Sequence, residues 1–449
     1  MKRKLLLLAV AISAAAHAQG PVITSWLQNT TLTGQYYVQN NPTPINNNIV
    51  ANVQTVQYST NWVYVSTHGI PAYITGPFLD GNPSQASNQN AIFRIPLNPQ
   101  QNTGTPTSTT PGNIGIFING VALFDYRDGV SWRNASGTEQ GGPIPGPPGD
   151  GVWNRDAIVA ERLGFDCAKG HPAMGNYHHH QNPSAFDLDL SVLSTICNTY
   201  DADGLYVIDS TVHAPLIGYA YDGYPIYGAY GYLNTNGTGG IVRMKSSYQL
   251  RNITVRTHYA DGSDVTDGPP VSSTYPLGRY REDYEYIAHP NDPDYLDEHN
   301  GRFCITPEYP NGTYAYFCTV DANWNSAYPY AVGPTFYGIV SVSKVTSINE
   351  PVTVYNAPSG MNESEFGQLE FKLFPNPSNE FAVVQAGNLI TGNLSVRVFD
   401  ATGRMVQETQ LNQGSTLAYI DTRTLYNGMY YAEISSGSHK EVLQFVVAH

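Results

Sequence analysis

The densest run of chemically capable residues in this 449-residue sequence is Gly170-His171-Pro172-Ala173-Met174-Gly175-Asn176-Tyr177-His178-His179-His180. If Tyr177 to His180 is extended, its side chains alternate between faces, so His178 and His180 share one face and His179 takes the other. Two imidazoles on one face can converge on a metal, and imidazole suits zinc, copper, iron and nickel. A further ligand must come from elsewhere in the chain. His171 and Asp222 are the candidates to complete the set or to orient it from outside. His213, His258, His289 and His299 are further imidazoles available. The competing use of the cluster is a structural network in which buried rings bond to tyrosine hydroxyls and carboxylates.

Two weaker signals involve carboxylates. Asp292, Asp294, Asp297 and Glu298 crowd around Pro293, and oxygens at such spacing on a turn could wrap Ca²⁺, although the pattern is not an EF-hand loop. Asp201-Ala202-Asp203-Gly204 is a fainter version, and a plain acidic turn accounts for either. No G-x-S-x-G elbow, H-E-x-x-H helix, P-loop or dinucleotide glycine signature occurs, so the commonest hydrolase, zincin and nucleotide-binding motifs are absent. A glycosidase-like carboxylate pair is a matter of spatial separation, which a sequence does not display.

The elements that must position these residues are mostly strands. Asn, Gly, Pro, Thr and Tyr are abundant and charged residues are few, which suits short strands joined by ordered turns. Alternating stretches such as Trp62-Val63-Tyr64-Val65 and Ala91-Ile92-Phe93-Arg94-Ile95 read as strands, while 100–111 and 141–151 read as loops rich in Pro and Gly. A short helix is expected over Ala157 to Gly164, capped by Asn154 or Asp156. Ile118-Asn119-Gly120-Val121-Ala122-Leu123-Phe124-Asp125 lines up with Tyr221-Asp222-Gly223-Tyr224-Pro225-Ile226-Tyr227-Gly228. Asn-Gly and Asp-Gly readily adopt positive φ, so each copy can be a hairpin and the body can be a duplication.

Export is written at the start of the chain. Lys2, Arg3 and Lys4 precede the apolar run from Leu5 to Ile12, and Ala16-His17-Ala18 has the form of a signal-peptidase site, so residues 1–18 are expected to be a cleaved signal peptide. Its loss makes the formal charge of −14 more negative by three. A nucleic-acid partner is therefore not expected, since phosphate binding requires clustered basic side chains. No later segment reaches the length needed for a transmembrane helix. An exported chain with four cysteines, Cys167, Cys197, Cys304 and Cys318, favours disulfides. Pairing neighbours gives 167–197 and 304–318, although three connectivities satisfy the count.

The polar stretch 351–368 reads as a linker, and alternating segments at 371–374, 394–399, 430–434 and 443–447 read as a small two-sheet sandwich. Leu373-Phe374-Pro375-Asn376-Pro377, Val398-Phe399-Asp400-Ala401-Thr402-Gly403-Arg404 and Asn427-Gly428-Met429-Tyr430-Tyr431, in that order, resemble the C-terminal sorting domain of the type IX secretion pathway of Bacteroidota. The resemblance covers 369–449. It implies engagement with the type IX secretion machinery and passage across the outer membrane, followed by removal of the domain with release or attachment to surface lipopolysaccharide.

The central segments resemble the YHYH family of exported bacterial proteins. The resemblance is carried by Cys167, Gly170-His171-Pro172, Asn176-Tyr177-His178-His179-His180, Asp222-Gly223-Tyr224-Pro225-Ile226-Tyr227-Gly228, Leu296-Asp297, Asn300-Gly301-Arg302 and Thr306-Pro307-Glu308-Tyr309-Pro310-Asn311-Gly312. His179 stands where the name-giving motif has its second tyrosine. The family implies a domain and no particular activity.

The sequence therefore predicts a mainly β protein. Its expected parts are a signal peptide (1–18), an N-terminal β-rich part (19–112), a YHYH body with short helices (113–350), a linker (351–368) and a C-terminal β-sandwich (369–449). Secretion or display at the outer surface, with a histidine-centred copper or zinc site, is the expected function. A non-catalytic adhesion protein, using its tyrosines as platforms for surface polysaccharide, is the alternative.

Overall fold

The computed structural model describes residues 19–449 except 82–83, 143–145, 185–196, 198–204, 207, 342, 356–365, 367–368, 388–389, 391, 412–414 and 437–438. The expected signal peptide, the Asp201–Gly204 turn and most of the expected linker lie outside the described residues.

An eight-stranded sheet forms the centre of the body. Its strands are β1 (Asn113–Phe117), β2 (Ala122–Phe124), β3 (Gly170–Ala173), β4 (Asn176–His179), β5 (Leu216–Ala220), β6 (Pro225–Tyr227), β7 (Gly301–Cys304) and β8 (Thr313–Phe317). Across the sheet they run β3-β4-β2-β1-β5-β6-β8-β7. The first four strands and the last four repeat one arrangement. In each, two antiparallel hairpins join through a parallel contact, β4 with β2 and β8 with β6, and the halves meet where β1 pairs antiparallel with β5.

The two repeated turns close β1–β2 and β5–β6 as the sequence predicts. Asn119 Oδ1 accepts from the Val121 amide and Asp222 Oδ1 from the Tyr224 amide. Gly120 and Gly223 take positive φ, at 82° and 91°. A Cβ at Gly120 would sit 2.3 Å from Thr67 Oγ1, and one at Gly223 2.4 Å from Pro96 Cγ. Each glycine thus lets a turn press against a second sheet, built from Val53–Tyr58, Trp62–Thr67 and Ala91–Pro96.

That second sheet gains edge strands from far along the chain, Lys344–Val345 beside Ala91–Pro96 and Thr353–Tyr355 beside Val53–Tyr58. The segment expected as linker therefore begins as an edge strand, because the exposed edge of Val53–Tyr58 offers free backbone groups for it to pair. Val53, Val65 and Phe93 of this sheet share one core with Ile116, Tyr219 and Phe317 of the central sheet. The adjacent residues Phe117, Ala220 and Tyr316 enter a different core. Alternation along each strand thus feeds two cores from one sheet.

The expected helix is short. Asp156 caps it by accepting from the Ile158 amide, the α-helix covers Ala157–Ala160, and a 3₁₀ turn follows at Arg162–Gly164. The C-terminal part is a seven-stranded sandwich. One sheet holds Phe371–Phe374, Phe381–Ala386 and Leu417–Asp421; the other holds Leu394–Asp400, Met405–Leu411, Gly428–Ser436 and His439–Val447. Its inward faces bury Val384, Val396, Val398, Ile420, Ile434 and Phe445.

Cysteine pairing departs from expectation at one pair. Cys167 and Cys197 form a disulfide, whereas Cys304 and Cys318 are free and buried. Cys304 stands opposite Thr313 in the β7–β8 register, so Cys318 lies five residues further along the partner strand. That is roughly 17 Å of extended chain, against the Cα separation of about 7 Å at most that a disulfide spans.

Candidate metal centre

The β3–β4 hairpin builds the site. Met174 and Gly175, both at positive φ, make the two-residue turn, which is the geometry that suits strand twist. The turn is held by Ser84 Oγ, which accepts from the Gly175 amide. In this register His171 stands directly opposite His178. Since His180 lies two residues beyond His178, all three imidazoles fall on one face. The Nε2 atom of His180 is 3.1 Å from Nε2 of His178 and 3.3 Å from Nε2 of His171. Among the described residues these three are the His, Cys, Asp or Glu group whose donor atoms converge closely enough to hold a metal, and all three are buried.

Outer contacts fix which nitrogens are free. His178 Nδ1 lies 2.8 Å from the Asn176 carbonyl, and His180 Nδ1 2.5 Å from the Asp125 carbonyl. A carbonyl only accepts, so these Nδ1 atoms carry the protons and each neutral ring offers its Nε2 lone pair inward. Aromatic walls hold the rings. Phe124 stacks on His178 with centroids 3.6 Å apart, and Phe165 meets His171 edge-on at 4.9 Å. Burial, followed by the nearness of His180 and His171, pushes His178 well below the ordinary imidazole range and so keeps it a neutral donor.

A fourth group enters that sequence reasoning passed over. Glu161, just after the short helix, places Oε2 3.3 Å from Nε2 of both His171 and His180. Burial alone would raise this carboxyl, but the nearness of the His171 and His180 imidazoles outweighs it and brings it down to about 2. For His180, burial lowers and Glu161 raises, and Glu161 prevails. A glutamate ten residues before His171 has no periodic relation to a strand, so its only sequence signal was its place at the end of a capped helix.

The remaining candidates are used differently. Asp222 lies outside the cluster: its fully buried carboxylate accepts from the Tyr316 hydroxyl at 2.6 Å and the Gly338 amide at 2.8 Å. The turn motif put it at the tip of the second hairpin, and among the described residues that half of the sheet carries no imidazole cluster. The four acidic residues considered for calcium do not converge. Asp294 pairs with Lys245 at 2.6 Å, Asp297 accepts from the Tyr314 hydroxyl at 2.8 Å, Asp292 faces His289, and Glu298 is exposed. His179 points to the opposite face, where its Nε2 meets the Tyr73 hydroxyl at 2.6 Å. Burial lowers it to about 3, as befits a neutral ring in a core. The structural network considered for the histidines thus describes this one.

The duplicated half shows what the site needs. Asp166 receives the Tyr177 hydroxyl and the Gly170 amide, just as Asp297 receives the Tyr314 hydroxyl and the Gly301 amide. The cross-strand pair His171 and His178 becomes Arg302 and Ala315, and the position of His180 becomes Phe317. Arg302 fills its half with a guanidinium bonded to the carbonyls of Leu233, Pro293 and Tyr232.

Comparison with known proteins agrees with this layout. A family model described as YHYH protein matches residues 92–329, more than half of the chain and all of the site. The chain belongs to the YHYH protein family. A second model, described as a secretion system C-terminal sorting domain, matches residues 372–448. The YHYH body is therefore followed by a type IX sorting domain, and the protein is one that this secretion machinery handles. Among the described residues no helix is long and apolar enough to cross a membrane. Comparison with curated proteins gives no match.

Among solved structures, similarity extends to a DUF3244 family protein with an immunoglobulin-like β-sandwich fold from Bacteroides vulgatus. It is 17% identical over 18% of this chain and 92% of that one, with a TM-score of 0.15. Dimeric latent PorU from Porphyromonas gingivalis is 23% identical over 18% of this chain and 9% of that one, also with a TM-score of 0.15.

Proposed function

We propose that this YHYH protein is exported beyond the outer membrane and carries one first-row transition-metal ion, zinc or copper, on His171, His178 and His180. One observation carries the reading. Two Nε2 atoms 3.1 Å apart, their rings' Nδ1 protons engaged by carbonyls on the far side, need a shared positive centre between them. A proton on His180 or a metal ion can supply it, and the inward convergence of the third imidazole, His171, favours the metal. The donor set fits such an ion, because neutral imidazole is a ligand that zinc and copper both favour. The leader at 1–18 and the C-terminal sorting domain support delivery to the outer surface, where removal of that domain would release the body or leave it attached to lipopolysaccharide.

The adhesion reading has less behind it, since nearly all of the tyrosines it would use as platforms are buried or half-buried. Among the described residues only Tyr259 and Tyr426 are exposed. Elemental analysis of the purified mature chain tests the proposal. One equivalent of zinc or copper in the parent, lost in His178→Ala/His180→Ala, is expected. A metal-free parent that takes up neither ion on titration refutes it.

A further inference from the structure

We infer that Glu161 is the fourth ligand of this metal and closes its coordination sphere, a conclusion that rests on the three-histidine reading above. Glu161 Oε2 is buried and has no hydrogen bond of good geometry, although it lies 3.3 Å from two imidazole nitrogens. A buried carboxylate oxygen in that state needs a partner that supplies positive charge. The separations say which kind. His178–His180, His171–His180, Glu161–His171 and Glu161–His180 span 3.1 to 3.3 Å. These are four of the six edges of a tetrahedron whose centre would lie roughly 2.0 Å from each corner, the bond length of zinc to imidazole nitrogen or carboxylate oxygen. Glu161 and His178 stand farther apart than the other pairs, so the half-buried carboxylate turns toward His178 when the ion binds.

The chain holds Glu161 there. Its amide donates to the Ala157 carbonyl at 2.8 Å and its carbonyl accepts from the Gly164 amide at 2.7 Å. The helix before it is fixed at its start by Asp156, whose carboxylate also receives the Tyr330 hydroxyl at 2.7 Å. Glu161 is also the one member of the set with appreciable exposure, its side chain at 25% against 7% and 2% for His171 and His180. It therefore occupies the solvent side of the ion, where water would otherwise bind. Three imidazoles and one carboxylate give a divalent ion a net charge of +1 and leave it no open position, the arrangement of a structural site.

Cobalt(II) and zinc(II) titrations of the mature chain and of Glu161→Gln, with circular dichroism to confirm folding, test the assignment. The parent is expected to give the intense visible bands of tetrahedral cobalt. Glu161→Gln is expected to bind zinc at least about 100-fold more weakly, beyond the loss typical of an outer-shell contact, and to give the faint bands of a water-bearing, higher-coordinate ion. In Glu161→Ala, added acetate should enter the vacated position and restore part of the tetrahedral spectrum. A parent that binds metal while Glu161→Gln matches it in affinity and spectrum overturns the role of Glu161 and leaves the three-histidine site standing. A parent that binds neither ion removes both.

Discussion

Replacing Gly170 by alanine, and separately Gly301, distinguishes damage to the fold from damage to the metal centre. A Cβ at Gly170 would lie 2.4 Å from Oη and Cζ of Tyr177 and 2.8 Å from Cε1 of His179. A Cβ at Gly301 would lie 2.4 Å from Oη of Tyr314 and 2.7 Å from the Ala315 carbonyl. Tyr177, His179 and Tyr314 are all deeply buried, so none can swing aside. Each tyrosine hydroxyl also serves a carboxylate, that of buried Asp166 or of half-buried Asp297. Overpacking of this kind costs about 1–3 kcal/mol, and losing part of a hydrogen bond to a charged group adds about 1–2 kcal/mol, so each variant should lose about 3 kcal/mol. The neighbours differ, however. Gly170 is followed by the ligand His171, and Gly301 by Arg302. Urea unfolding followed by circular dichroism should show similar destabilisation in both variants. Zinc titration of the folded proteins should show binding weakened about 10-fold or more in Gly170→Ala alone, since small displacements around ligands carry that cost. Equal weakening by Gly301→Ala, or a Gly170→Ala protein within about 0.5 kcal/mol of the parent, would refute the reasoning.

Three further outcomes are expected. A thiol reagent should find no reactive cysteine in the native protein and two after denaturation without reductant, because Cys304 and Cys318 are buried and unpaired; denatured protein with no free thiol would contradict this. Burial raises Asp222 to about 6 against the hydrogen bonds from Tyr316, Gly338 and Tyr224. A carboxyl that binds its proton more tightly when folded stabilises fully below its unfolded value and loses that contribution as pH rises through 6, here up to about 3 kcal/mol. Asp222→Asn should therefore show a flatter dependence of unfolding free energy between pH 4 and 7, and an unchanged slope would count against it. A chain ending at Tyr355, expressed in the producing bacterium, should accumulate in the periplasm, as fractionation and immunoblotting would reveal; undiminished surface delivery would show the sorting domain to be dispensable.

Much of this protein follows from local patterns. Val396, Val398 and Ile434 alternate with polar neighbours, and such patterns reveal four strands of the C-terminal sandwich. Phe381–Ala386, Met405–Leu411 and Leu417–Asp421 were not among those expected, and Met405–Leu411 is hard to see because its side chains are largely polar and half exposed. Asn119-Gly120 and Asp222-Gly223 announced two hairpins because few other dipeptides adopt that turn. His178 and His180 fell on one face because alternation is a property of any extended backbone.

Pairings between distant segments were another matter. The opposition of His171 to His178 depends on the register of β3 against β4, and the arrival of Glu161 on how a four-residue helix packs beside that hairpin. Asp222 and Asp125 both follow strand-forming runs, yet the fold sends one carboxylate to Tyr316 and brings the other residue's carbonyl to His180. Cys304 and Cys318 are close in sequence and kept apart by the strand register between them. The sequence by itself thus determined which side chains share a strand face, since backbone geometry repeats every two residues. The tertiary structure decided which faces meet, since register and packing are set by the whole core at once.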